Sequence, residues 1–151
     1  MVAYSFKRRF VEPIRAGLGL QNFNQFGVEI PDVRPKRQTI RADRRRHARP
    51  GEMLQFYCAM RTKSCFLIGR AHCVDVQPIY IEVEAPLVIV GEGKQRHRIT
   101  TKSELNEFAR ADGFGSYEEF GLFWYEEHHD TMNDFYGVII KWKPLSAEEA
   151  A

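Results

Sequence analysis

Hydrophobic and polar residues alternate most clearly in the middle of the chain. In residues 79–83, three aliphatic side chains alternate with Tyr80 and Glu82, which is the period-2 pattern of a half-buried strand. Apolar or aromatic runs predict further strands at residues 53–60, 66–76, 87–90 and 135–142, and residues 4–6 and 36–41 are interpreted as a short strand and as a strand or extended segment. The pattern therefore predicts a mainly β domain.

Helical signals occur near the start of the chain and before the last predicted strand. In residues 10–17, Pro13 lies in the first turn and Gly17 stands at the end, an arrangement that favours a short helix. Capping boxes at 101–104 (T-K-S-E) and 116–119 (S-Y-E-E) open two further predicted helices. We therefore expect an α+β fold with a helical pair ahead of the closing strand.

The remaining segments show no clear periodicity. Residues 18–35 mix Gly, Asn, Gln and Pro with scattered apolar residues, and we interpret them as a long loop inserted into the domain. Loops of this length are often functional. The polar tail after residue 144 is expected to be flexible. Since no repeat or linker divides the chain, residues 1–151 are predicted to form one domain.

Composition restricts the functional classes. Hydrophobic residues make up 44% of the chain and charged residues 28%, as in ordinary globular proteins. Apolar runs such as residues 87–90 are too short to span a bilayer, and the first residues lack the apolar stretch of a secretory signal. Three cysteines without C-x-x-C spacing favour a reducing, cytoplasmic setting.

Charge is distributed unevenly along the sequence. Residues 34–49 hold eight lysine and arginine residues against one acid, Asp43, whereas residues 102–134 hold nine acids against two bases. The basic residues are Arg34, Lys36, Arg37, Arg41, Arg44, Arg45, Arg46 and Arg49. Such a segment suits a phosphate-bearing partner such as RNA or a nucleotide. Two alternatives are neutralisation by the acidic third within the fold, and docking of an acidic protein partner.

Lys36 and Thr39 are the candidates for chemistry within this basic segment. A threonine hydroxyl becomes a nucleophile when a neighbouring amine takes its proton or stabilises its alkoxide, and a carboxylate would then position the amine. On a regular strand these two side chains would point to opposite faces. They would converge only at a twist, bulge or turn.

Four sequence patterns together resemble a known family. They are R-P-K-R-Q-T-I-R, R-x-x-x-x-P-G-E-M-L, A-D-G-F-x-S-x-E-E-F and a final G-V-I-I-K-W. The combination is similar to the ASCH domain family of the PUA-like superfamily, over residues 5–17 and 34–142. The family signature G-x-K-x-x-T-x-R is matched by Lys36, Thr39 and Arg41, and its glycine corresponds to Gly17, which the insertion separates from the lysine.

The resemblance implies a fold, a ligand class and a set of site residues. PUA-like domains are small mixed or antiparallel β-barrels flanked by short helices, and they generally bind RNA. Some ASCH proteins are amidohydrolases that act on N4-acetylcytidine through a Lys, a Thr and a Glu, and others have been described as ribonucleases. Carried over, these roles fall on Lys36 and Thr39, with Asp112 in place of the glutamate.

We therefore expect a basic ligand cleft that binds RNA, a nucleotide or a nucleoside, with or without hydrolysis. The predicted binding residues are Lys36, Arg37, Gln38, Thr39, Arg41, Arg44, Arg45, Arg46 and Arg49. No cofactor motif is found. Cys58, Cys65 and Cys73 lack paired metal-ligand spacing and are interpreted as buried structural residues, so no metal is expected. The aromatic residues Phe56, Tyr57, Tyr80 and Trp142 are candidates either for core packing or for base stacking.

Overall fold

The structure, a computed structural model, describes residues 1–43, 46–127 and 134–150. Within these ranges it is an α+β fold with a mixed sheet and four α-helices. The strands are β1 (Val2–Phe6), β2 (Asn22–Phe23), β3 (Glu29–Ile30), β4 (Gln38–Ala42), β5 (Met53–Cys58), β6 (Phe66–Glu82), β7 (Leu87–Val90), β8 (His97–Ile99) and β9 (Phe135–Pro144). The helices are α1 (Val11–Gly17), α2 (Lys102–Ala111), α3 (Tyr117–Glu127) and α4 (Ala147–Ala150), with 3₁₀ turns at Arg8–Phe10 and Gly93–Gln95.

The strands pair in both directions. β1 lies parallel to β5, β5 is antiparallel to β6, β6 to β7, and β7 to β8. β9 pairs with β4 and with β6, while β2 and β3 form a separate hairpin. The α+β class is therefore confirmed. In the described part of the chain these pairings do not close into a ring. The closed β-barrel that the PUA-like resemblance implies therefore stays a prediction.

The chain forms two compact units. The first contains residues 1–37, 48–75 and 141–151, and the second contains residues 38–47 and 76–140. In the first unit, Phe56 packs against Phe6 and Trp142, with ring centroids 5.4 and 4.6 Å apart. In the second unit, Phe120 is fully buried among Phe108, Phe114 and Trp124. Each unit thus has its own aromatic core, and the prediction of one domain stays a prediction.

The long strand β6 corrects one expectation from the sequence. Two strands were predicted, at 66–76 and 79–83, yet Phe66–Glu82 is continuous. Its first part pairs with β5, up to His72, and its last part pairs with β7, from Ile79. Because the pairing partner changes along the strand, the pattern of buried positions also changes between the two parts. The sequence of this one strand therefore resembles that of two separate strands. The short, charged strand β8 was not predicted at all.

The predicted helix caps are confirmed. Thr101 Oγ1 accepts a hydrogen bond from the backbone N–H of Glu104 at 3.2 Å, and Ser116 Oγ accepts one from Glu119 at the same distance. Leu105, Phe108 and Ala109 form the buried face of α2. Capping depends on residues three positions apart, so the sequence is sufficient to predict it.

Candidate functional site

The two halves of the G…K signature meet in the first unit. Gly17 ends α1, and a Cβ added there would overlap the carbonyl oxygen of Lys36 and lie 2.9 Å from its carbonyl carbon. The N–H of Lys36 donates to the Pro13 carbonyl at 2.9 Å, and Arg37 Nε donates to the Gly17 carbonyl at 3.0 Å. Residues 18–35 therefore leave the fold and return to it at one point, and the insertion does not separate the signature in space.

The insertion contains a short hairpin within the long loop that was expected. Asn22 on β2 pairs with Ile30 on β3, and its side chain donates to the Glu12 carbonyl on α1 at 3.0 Å. At the tip, the Asn24 side chain accepts hydrogen bonds from the N–H groups of Phe26 and Val28. These bonds hold the hairpin against α1 and order its tip.

Lys36 is buried, although its side chain is ionisable. The residue is 2% exposed, and its ammonium lies 4.9 Å from the centroid of the Phe10 ring. An ammonium over an aromatic face gains cation–π attraction, which recovers part of the cost of burial. Lys36 also precedes β4, which begins at Gln38, so the regular alternation expected for residues 36–41 does not apply to it.

Gln38 and Thr39 are both buried at the start of β4 in the second unit, with 6% and 4% exposure. Consecutive buried positions mean that both faces of the strand are covered there. Arg41 Nε donates to Thr39 Oγ1 at 3.2 Å. Gln38 Nε2 is buried and has no hydrogen-bond partner within the described ranges. These residues form the polar part of the second unit's candidate site.

Asp112 is placed by the end of α2. The N–H of Gly113, whose φ is +97°, donates to the Arg110 carbonyl, and the N–H of Phe114 donates to the Ala109 carbonyl. These two bonds form a Schellman motif. The residue is 5% exposed and lies at the negative end of the helix dipole, which disfavours a carboxylate. A buried acid at this position therefore needs compensating charge or donors, and such acids are frequent at functional sites.

The predicted catalytic residues are all buried. The buried polar side chains in the described part of the chain are Asn22, Lys36, Gln38, Thr39 and Asp112, and four of these were singled out from the sequence. Lys36 belongs to the first unit, whereas Thr39 and Asp112 belong to the second. The joint action of the three on one ligand stays a prediction.

The other predicted binding residues are exposed or partly exposed. Arg37, Arg46 and Arg49 are exposed and Arg41 is half-buried, while Arg44 and Arg45 lie outside the described residues. His47 Nε2 lies 2.9 Å from the Ala42 carbonyl oxygen, and the N–H of Arg49 donates to the Glu52 carboxylate. Arg37, Arg46 and Arg49 thus lie on the surface.

Burial also sorts the remaining candidates. Cys58 and Cys73 are buried as expected, but Cys65 is exposed because it precedes β6 in a turn. Burial raises the pKa of the Cys73 thiol above its ordinary value. Phe56 and Trp142 are core residues, and Trp142 Nε1 is a second buried donor without a partner among the described residues.

Comparison with family models, with curated proteins and with solved structures gives no match. No helix among residues 1–43, 46–127 and 134–150 is long and apolar enough to cross a membrane. The class that the structure defines is thus an α+β protein with a mixed sheet and a buried polar signature segment.

Proposed function

We propose that this chain is an ASCH-type, PUA-like protein that binds RNA, a nucleotide or a nucleoside, in a cytoplasmic setting. The observation that carries the proposal is the buried amide of Gln38, whose Nε2 has no hydrogen-bond partner in the described residues. A buried donor left without a partner costs about 1–3 kcal/mol. A ligand acceptor at that atom would recover this free energy, so binding is favoured by the arrangement.

The chemistry of Gln38 suits a nucleobase. An amide offers a donor and an acceptor side by side, and proteins that read single-stranded RNA hydrogen-bond to the edges of splayed bases. The exposed guanidinium groups of Arg37, Arg46 and Arg49 supply attraction to phosphate, which does not depend on sequence. Gln38 would therefore select the base, and the arginines would set the strength of binding.

Calorimetric titration of cytidine, adenosine and the corresponding monophosphates tests this proposal. Gln38→Leu should weaken binding by about 5- to 150-fold, the equivalent of about 1–3 kcal/mol, because the hydrogen bond to the base is lost. Gln95→Leu, which removes an exposed amide, is the matched control and should bind as the wild type does. Unchanged affinity in Gln38→Leu would show that the amide does not read the ligand.

The basic residues require a separate measurement. Affinity for RNA should fall steeply with added salt, and each phosphate-contacting arginine replaced by alanine should lower the salt slope by about one. If affinity is indifferent to salt and a protein complex instead survives nuclease treatment, the alternative of a regulator that binds an acidic protein partner is correct.

A hydrolytic version is supported by one specific contact. Arg41 Nε donates to Thr39 Oγ1 at 3.2 Å, and a guanidinium beside a hydroxyl favours the anionic oxygen that a nucleophile needs. We propose that Thr39 Oγ attacks the amide carbonyl of an N4-acetylcytidine-type nucleoside and releases cytidine. Water then cleaves the acyl-threonine ester to give acetate. In this version the neutral amine of Lys36 would accept the Thr39 proton and return it to the leaving N4 amine, and Asp112 would support the ammonium that forms in between.

Mass spectrometry of N4-acetylcytidine conversion checks this version. Thr39→Ala and Lys36→Ala should abolish conversion, whereas Thr39→Ser keeps a hydroxyl and should retain it in part. RNA cleavage with N4-acetylcytidine untouched would favour ribonuclease activity through the same residues. If neither substrate is converted at high protein concentration, the protein binds without hydrolysis.

A further inference from the structure

An open groove in the second unit has the form of a stacking site. Its volume is about 360 Å³, and its lining includes Tyr80, Tyr136, Ile89, Glu92 and Arg96. The Tyr80 and Tyr136 ring centroids lie 4.8 Å apart, with their planes tilted by 43°. Tyr136 is 68% exposed. A large aromatic ring this accessible, already supported by a second ring, offers a preformed surface for a planar ligand.

The register explains why this face of the sheet is open to solvent. Ile81 pairs with Val88, and Val88 with Ile99, and these three side chains are buried. The neighbouring row, in which Tyr80 pairs with Ile89 and Ile89 with Arg98, points to the opposite face because strand side chains alternate. Aromatic, aliphatic and basic side chains thus follow one another across three strands on the open face.

Tyr80 is fixed in its orientation. Its hydroxyl donates a hydrogen bond to the Asp134 carboxylate, and this bond, reinforced by partial desolvation, raises the pKa of Tyr80 to about 12. The phenol therefore stays neutral at physiological pH, and the Asp134 carboxylate accepts its hydrogen bond. The ring beneath Tyr136 is thus held in one orientation.

One edge of the groove is basic, whereas the Asp134 carboxylate lies on the Tyr80 hydroxyl. Residues 91–99 carry Lys94, Arg96 and Arg98 against a single acid, Glu92, and all four are exposed. Aromatic rings beside a basic edge are the combination by which proteins bind single-stranded nucleic acid, with bases stacked on the rings and phosphates held by the cations. Proline-rich peptides also dock on aromatic grooves, but such a ligand would not account for the basic residues at the edge of this groove.

We propose that this groove binds single-stranded nucleic acid, with one base stacked on Tyr136 and the adjoining phosphate held by Arg96 or Arg98. The site uses none of the signature residues, so it goes beyond the proposed function and can fail independently of it. Duplexes are excluded as ligands because their bases are already stacked and paired.

Fluorescence anisotropy of a short, labelled single-stranded oligoadenylate tests the proposal. Tyr136→Ala should weaken binding by about 5- to 150-fold, because stacking on an aromatic side chain contributes about 1–3 kcal/mol per base. Tyr136→Phe keeps the ring and should bind as the wild type does. Leu122→Ala removes an apolar side chain of similar exposure, 65%, from α3 and is the matched control. Arg96→Ala should reduce the salt slope by about one.

Three results would overturn the proposal. They are wild-type affinity in Tyr136→Ala, equal competition by a duplex of the same sequence, and displacement of the oligonucleotide by a polyproline peptide. Gln38→Leu separates this site from the proposed function. Loss of nucleoside binding in Gln38→Leu, with oligoadenylate binding lost only in Tyr136→Ala, would establish two sites.

Discussion

Replacing Gly17 by alanine tests how the insertion is joined to the signature lysine. The new methyl group would overlap the Lys36 carbonyl oxygen and lie 2.9 Å from the carbonyl carbon. Both contacts are backbone atoms, which cannot rotate away as the end of a side chain can. The segment that returns from the insertion must therefore move, and the hydrogen bond from the Lys36 N–H to the Pro13 carbonyl, 2.9 Å long, must lengthen or break.

The size of the effect follows from three contributions to the free energy of unfolding. Forcing a methyl group into a packed position costs about 1–3 kcal/mol, and the lost hydrogen bond costs about 0.5–1.5 kcal/mol. Alanine in place of glycine in a helix returns about 0.5–1 kcal/mol. We expect Gly17→Ala to be destabilised by about 2 kcal/mol, which for a protein of this size lowers Tm by roughly 4–8 °C.

Urea denaturation of Gly17→Ala and Gly121→Ala, followed by fluorescence, measures this difference. At Gly121, within α3, an added Cβ meets only Val83 Cγ1 at 3.7 Å, an ordinary contact. The control should therefore be more stable than the wild type by about 0.5–1 kcal/mol. Because Gly17→Ala also displaces Lys36, it should impair any activity that depends on the Lys36 side chain. Wild-type stability in Gly17→Ala would refute the close approach of the two backbones.

Three further predictions concern other parts of the chain. Thr101→Ala removes the N-cap of α2 and should cost about 0.5–2 kcal/mol in urea denaturation, whereas Thr101→Ser should not. Hydrogen bonds from Ser146 and then His72 hold the pKa of Glu149 at about 2, below its ordinary 4.5. This stabilisation is therefore present above pH 4.5 and is lost as the pH falls toward 2. Glu149→Gln should flatten the pH dependence of Tm between these two values. An unchanged profile would contradict the hydrogen bonds to Glu149. Gln38→Leu, without ligand, should be at least as stable as the wild type. A large loss of stability would indicate that the amide has a hydrogen-bond partner within the chain.

Local chemistry explains what could be predicted along the chain. A cap involves residues three positions apart, so Thr101 and Ser116 identify the starts of α2 and α3 without knowledge of the fold. The strand at Leu87–Val90 was likewise predicted with its observed bounds. The hairpin of the insertion was missed because its strands, Asn22–Phe23 and Glu29–Ile30, have two residues each, which is too short for a periodic pattern.

The sequence by itself determined most of the longer elements, the basic segment and the residue types of the candidate site, because these depend on neighbours along the chain. Only the tertiary structure decided that Gly17 and Lys36 touch across the insertion, that Gln38 and Thr39 are buried together, and that Tyr80 lies beneath an exposed Tyr136. Each of these depends on which distant segments pair. Closing a long loop costs an entropy that changes only slowly with its length, so sequence separation carries little information about which segments will meet.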